Sequence, residues 1–273
     1  MDKNSFLFTI IIVSLNPGPK LQKTVDSILT QSFLSQKEGG LEILIKDGNS
    51  TDGSVEALEK NDYIRIIKQP DTGIYDAMNQ AAAQAKGEIL FFLNCGDLFH
   101  DRDVLKKVKS FVRGKRNKIF YGDIYSILSD SLVPSNPHMD AFGCYRNVPC
   151  HQACFYRNEL FSERGYLLQY RVRADYEHFL WSYFKKEAEP LYMPVVVADY
   201  EGAGFSESRE NKRISAKEHK EITAKYMSRG QRVKFRAILW LTLAPLRSRM
   251  AESRRFSGMY NGLKKMLYKR ERV

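Results

Sequence analysis

A chain of 273 residues with 43% apolar and 12% aromatic side chains can bury a large core, which excludes disorder and fits one big domain or a domain with an appendage. A formal net charge of +11 ordinarily points to nucleic acid, a membrane surface or an acidic ligand. Residues 229–273 hold thirteen Lys or Arg against Glu252 and Glu271, so the tail carries the whole excess and the preceding chain is formally neutral.

The first hundred residues alternate between β-rich apolar runs and segments of helical spacing. Residues 8–14 read as a strand, and the run FLFTIIIVSL containing it lacks the basic flank and small-residue cleavage site of a signal peptide. Residues 21–31, with Leu21, Val25, Ile28 and Leu29 on one face, predict a helix. There follow a strand at 41–46, a helix at 54–60, a strand at 64–68, a helix at 74–85 and a fully apolar strand at 89–93. A helix at 103–112 leads to a strand at 118–125, and Pro134 and Pro137 then interrupt any long element. Further on, 175–186 reads as a helix and 191–199 as a strand, and the chain after Ser206 is charged and helical in character. Strands separated by helices imply an α/β fold with a mostly parallel sheet, whose ligands bind beyond the carboxyl ends of the strands. No run reaches the roughly eighteen apolar residues of a spanning helix, and residues 237–246 contain Pro245.

Three polar or Gly-rich loops fall at that edge: Ser14-Leu15-Asn16-Pro17, Asp47-Gly48-Asn49-Ser50-Thr51-Asp52-Gly53 and Asn94-Cys95-Gly96-Asp97. The second clusters a carboxylate with small donors and suits a ribose or base; a plain tight turn with Asp52 capping the next helix is the alternative. In the third, Asp97 can hold a hard divalent cation, because such metals take one or two carboxylates plus phosphate oxygens; a simple turn is again the alternative. Cys95, Cys144, Cys150 and Cys154 have neither the paired spacing of a secreted disulfide framework nor, with His151, a familiar zinc spacing, so a reducing cytosol is the expected compartment.

In order and spacing, FTIIIVSLN (8–16), KDGNSTDGS (46–54), DTGIYDAMN (71–79), GEILFFLNCGD (87–97) and the stretch 151–175 leading into Arg173-Ala174-Asp175-Tyr176-Glu177 resemble family 2 of the inverting, GT-A-fold glycosyltransferases. The likeness covers residues 6–206. The GIYDAMN and NCGD forms look most like a branch building bacterial capsule, O-antigen or exopolysaccharide.

The resemblance implies a GT-A, Rossmann-like domain over 1–206 and a basic, amphipathic helical extension over 207–273. It implies that Ser14 and Asn16 lie along the nucleotide, that Asp47, with Gly48 and Ser50 in the same loop, meets uracil or an equivalent base, and that Asn94 and Asp97 belong to the donor site. Asp97 matches the last Asp of the family's metal motif, with Mn2+ or Mg2+ as the cofactor; Cys95 and Gly96 depart from the usual pattern and leave it the only firm ligand. Asp76 and Asn79 match positions shaping the donor-sugar pocket, where Tyr75 can stack on a ring, although helix capping explains the polar pair too. His151 and Gln152 resemble a segment lining the acceptor or donor-sugar pocket, and residues 202–206 resemble a glycine-rich loop near the diphosphate.

Asp175 matches the catalytic base, with Glu177 as its nearest rival. One base suffices for an in-line attack, because cationic charge rather than a protonated acid stabilises the leaving diphosphate. The implied function is sugar transfer from a nucleotide-diphosphate sugar, UDP favoured, to a saccharide or lipid-linked saccharide. A silent nucleotide-sugar binder is the alternative; a nucleic-acid-binding protein would account for the tail but not for the acidic loops. Basic residues interleaved with Phe235, Trp240 and Leu241 give an interfacial signature, which suits a peripheral site on the anionic cytoplasmic leaflet, with a solvated basic helix as the alternative.

Overall fold

The computed structural model describes residues 6–35, 40–202 and 208–242. Among these residues one sheet contains β1 (Phe6–Ser14), β2 (Gly40–Asp47), β3 (Ile64–Lys68), β4 (Ile89–Phe92), β5 (Leu98–Phe99), β6 (Ile119–Ser126), β7 (Ser131–Val133), β8 (Cys154–Arg157) and β9 (Leu191–Tyr200). The helices are α1 (Lys20–Leu29), α2 (Ile74–Ala82), α3 (Val104–Val112), α4 (Ala141–Arg146), α5 (Asn158–Glu163), α6 (Ala174–Lys186), α7 (Arg209–Tyr226) and α8 (Arg229–Leu241).

The sheet order is β3-β2-β1-β4-β8-β6-β9-β5, with β7 on the β6 edge. β1 pairs in parallel with β2 and β4, and β2 with β3, as the alternation of strands and helices predicts. Beyond β4 the sheet is mixed: β8 runs antiparallel to β4 and β6, while β9 is parallel to β6. Ser14 pairs with Asp47 at the ends of β1 and β2, so the first two polar loops leave the sheet side by side.

β1, β2 and β4 are apolar almost throughout because both faces are covered. On one face Leu21, Val25 and Ile28 of α1 pack with Phe8, Ile10, Ile12, Ile43, Ile45 and Phe91. Each such side chain contributes about 1.5–3 kcal/mol of burial. Phe91 stacks on Phe155 at 4.3 Å between centroids, joining β4 to β8. At Gly87 the chain passes so close to β1 that a Cβ would lie 2.4 Å from the Thr9 nitrogen, which is why no side chain fits there.

The crossover from β2 to β3 corrects one expectation: residues 54–58 form turns, not a helix. Gly53, at φ 75°, precedes the segment, which closes as turns, with the Ala57 N–H on the Gly53 carbonyl at 3.0 Å and the Leu58 N–H on that of Val55 at 3.3 Å.

Compact packing divides the chain into 1–222 and 223–273, whereas the sequence reading places the boundary at 206. The first turns of α7 therefore belong to the sheet unit. In the second unit, α8 begins at a capping box between Ser228 and Gln231, and it exposes Val233, Trp240 and Leu241. The tail residues 243–273, and residues 203–206 of the glycine-rich loop, lie outside the described residues.

Candidate active site

The first two loops are sewn to each other. Asn16, in the left-handed region at φ 48°, donates its N–H to Ser50 Oγ at 2.8 Å and accepts the Thr51 N–H at 2.9 Å. Asp52 accepts the Gly18 N–H at 2.8 Å. Ser14, 8% exposed, keeps a buried hydroxyl without a hydrogen-bond partner among the described residues. It lines a cleft of about 280 Å3 with Leu15, Lys20, Ile74, Asn94 and Cys95. A buried, unsatisfied hydroxyl on a cleft wall fits a polar ligand.

Asp47, expected at the base, lies beneath the second loop. It is fully buried, and both carboxylate oxygens accept the Ser50 N–H at 3.1 Å while Ser50 Oγ donates to one of them. Asp47 and Ser50 therefore shape the loop from beneath. Beside them Gly48 is required by a close approach, since a Cβ would sit 2.9 Å from Asp71 Oδ2. That oxygen is held at 2.8 Å by Lys46, whose side chain is fully buried.

In the third loop Gly96, at φ 105°, adopts a backbone that glycine tolerates and turns the chain so that Asp97 points inward. Asp97 is 4% exposed; its Oδ1 accepts the Glu201 N–H and its Oδ2 the Gln152 amide, both at 2.9 Å. Burial pushes its carboxyl above the ordinary range, and the two hydrogen bonds offset this only in part. Alongside, Lys20 Nζ pairs with Glu201 at 2.6 Å, a link across 181 positions of sequence. Beside it, burial pushes the Cys95 thiol up to about 12.

No group of three His, Cys, Asp or Glu is gathered to hold a metal unaided among the described residues. Asp97 nevertheless fits a cation that draws its other ligands from phosphate and water: each oxygen has a lone pair beyond the bond it accepts, and its buried charge is under-compensated.

Asp175 stands in the first turn of α6 with a quarter of its side chain exposed. Oδ1 accepts the Tyr176 N–H at 2.8 Å and lies 3.0 Å from the Tyr75 hydroxyl; Oδ2 is 3.5 Å from His151 Nδ1. Burial pushes this carboxyl up, but His151, the Tyr176 N–H and Tyr75 outweigh it, and the net shift is downward. Asn94 Nδ2 lies 2.9 Å from His151 Nε2, so the ring is tied to the third loop through one nitrogen and faces Asp175 with the other.

Asp97 and Asp175 thus meet at one short segment. Gln152 reaches Asp97 and the adjacent His151 reaches Asp175, with Asn94 tying His151 back to the third loop. Three other expected pocket residues do not join them. Asn79 spends both ends of its amide on the Tyr166 backbone, at 2.7 and 2.9 Å. Asp76 caps α2 through the Thr72 N–H at 2.8 Å. Glu177, the rival for base and expected in the acceptor or sugar pocket, is fully buried and pairs with Arg164 at 2.7 Å. Residues two apart on a helix project about 200° from one another, so Asp175 and Glu177 face opposite sides. Lys20, Glu201, Lys46 and Asp71 escape the sequence reading; only the lone Lys inside the apolar 41–46 run hints at a buried pair.

The family model for glycosyl transferase family 2 matches residues 9–189, which span the three polar loops, His151-Gln152 and Asp175. The chain belongs to glycosyl transferase family 2. A PGL/p-HBAD biosynthesis glycosyltransferase from Mycobacterium tuberculosis is 33% identical over 205 residues, covering 72% of this chain and 78% of that one. Chondroitin synthase from Pasteurella multocida is 29% identical over 134 residues, 48% of this chain and 13% of its own. Among solved structures, S. aureus TarS 1-349 in complex with UDP superposes with a TM-score of 0.64 at 15% identity, covering 84% of this chain and 69% of that one. The mannosyltransferase PcManGT from Pyrobaculum calidifontis, in complex with GDP-Man and Mn2+, gives a TM-score of 0.57 at 15% identity, covering 95% and 85%. These likenesses establish the glycosyltransferase class and its GT-A α/β fold.

Proposed function

We propose that this glycosyltransferase moves a sugar, with inversion, from a nucleotide-diphosphate sugar to an acceptor hydroxyl, with Asp175 as the base and Asp97 at the diphosphate. The observation that carries the reading is that adjacent residues hold the two carboxylates, His151 beside Asp175 at 3.5 Å and Gln152 on Asp97 at 2.9 Å, with Asn94 of the cleft wall on His151. The donor lies along Ser14 and Asn16, with Leu15, 63% exposed, offering an apolar face to the base. Asp97, held by Gln152 and the Glu201 N–H, is the residue that would hold Mn2+ or Mg2+. Such a cation, when bound, neutralises charge on the leaving diphosphate.

The chain's own residues do the rest. Asp175 is ionised at neutral pH and accepts the acceptor's proton as the hydroxyl oxygen forms its bond to the anomeric carbon and the bond to the diphosphate oxygen breaks. Tyr75 and His151 hold the carboxylate in place from two sides. UDP is favoured as the nucleotide because TarS structures carry UDP and UDP-GlcNAc, although PcManGT carries GDP-Man. The test is to incubate the full chain and manganese with a panel of UDP-, GDP- and dTDP-sugars. One donor is expected to be slowly hydrolysed and to stabilise the fold by about 2.7 kcal/mol at a hundredfold excess over its Kd. A panel in which no nucleotide sugar is cleaved or bound would refute the reading.

The acceptor we propose is a saccharide or lipid-linked saccharide of surface-polysaccharide synthesis, met at the cytoplasmic face of a membrane. No described helix is long and apolar enough to cross a bilayer. α8 instead sets exposed Val233, Trp240 and Leu241 among Arg229, Arg232, Lys234 and Arg236, which supports interfacial binding. In flotation with vesicles containing anionic lipid at moderate salt, the intact chain should rise with the vesicles. Its recovery wholly in the aqueous fraction would argue for the solvated-helix alternative.

A further inference from the structure

Residues of α7 hold the approach to Asp175, although the helix falls outside the family match at 9–189. The approach runs Tyr170-Arg171-Val172-Arg173, in neither helix nor strand, so its amides need acceptors from elsewhere. Glu218 supplies them. It is 6% exposed; one carboxylate oxygen accepts the Arg171 N–H at 2.7 Å and the other those of Val172 at 3.1 Å and Arg173 at 2.8 Å. Consecutive amides converging on one anion form a nest, and charge-assisted bonds of this kind are about twice as strong as neutral ones. The same helix holds the flanks. Arg173 Nε donates to the Ser215 hydroxyl at 2.7 Å, the Tyr170 hydroxyl donates to Glu221 at 3.2 Å, and the His219 ring stacks on Tyr176 at 5.2 Å.

From the nest to the base is a short path. The Val172 carbonyl accepts the Tyr75 hydroxyl at 2.8 Å, and that hydroxyl lies 3.0 Å from Asp175 Oδ1. We propose that Glu218 is a positioning residue for Asp175: by gathering the amides of 171–173 it fixes where α6 begins, and with it the direction in which the base presents its carboxylate. The proposal rests on the reading of Asp175 as the base. Glu218 meets no substrate and acts through the main chain.

The test uses the full chain carrying Glu218→Gln, which keeps the side-chain volume but turns an amide donor against the nest, and Glu218→Asp, which keeps the charge. Three quantities are read: donor Kd, kcat, and amide exchange at 171–173. For Glu218→Gln, exchange should rise and kcat should fall about tenfold to a hundredfold, the loss expected from a displacement near 1 Å, while donor Kd stays put. Glu218→Asp should recover part of that turnover. Unchanged exchange, wild-type kcat in Glu218→Gln, or a parallel loss of donor affinity would overturn the proposal. A wild-type chain that transfers sugar from no donor would sink the reading of Asp175 itself, and the proposal with it; normal wild-type transfer with an undiminished Glu218→Gln sinks the proposal alone.

Discussion

Asp175→Asn is expected to lower kcat by about a thousandfold, within the 10²–10⁴ range that a positioned base supplies. The amide keeps the size of the side chain and can still accept from the Tyr176 N–H and Tyr75, so α6 and the cleft should stand unchanged. What is lost is the lone pair that takes the acceptor's proton. Donor Kd should therefore stay within about twofold of wild type, and steady-state kinetics beside donor titration separate the two quantities. The pH dependence follows from the sign of the shift. Because the folded-state pKa of Asp175 is depressed, its ionised form and the stability it contributes persist at neutral and mildly acidic pH, and are lost only as pH falls through that lowered value.

Asp97→Ala should act on the other half of the reaction, weakening manganese-dependent donor binding by about a hundredfold or more. Its Gln152 and Glu201 partners would lose their acceptor, so a modest loss of stability accompanies the change. The shift of Asp97 has the opposite sign to that of Asp175. Burial raises its pKa, a penalty that a bound cation would relieve.

The parallel half of the fold was legible because β1, β2 and β4 are covered on both faces and read as largely apolar runs, which places their following loops at one edge. Asp97 and Asp175 were legible only through the order of motifs. As isolated residues, each also suits a turn or a cap, and Asp175 does accept the N–H of its own helix start. The protein partners of Asp47, Asn79 and Glu177, namely Ser50, the Tyr166 backbone and Arg164, were not legible, because sequence does not reveal which way a polar side chain in a motif turns. The turn at 54–58 mimics a helix because Val55 and Leu58 repeat at three residues, a spacing that a pair of turns shares. Lys20 with Glu201 and Glu218 with Arg171 lie far apart in the chain and repeat no local pattern, so only the packed fold brings them together.

The division of labour between the two carboxylates is tested most directly by titrating one nucleotide sugar, with manganese, against Asp175→Asn and Asp97→Ala side by side and measuring turnover on the same preparations. Donor should bind Asp175→Asn as it binds the wild type while transfer collapses, and should scarcely bind Asp97→Ala. If Asp175→Asn turns over normally, or if both variants lose binding and turnover together, the two side chains do not hold the separate roles assigned to them.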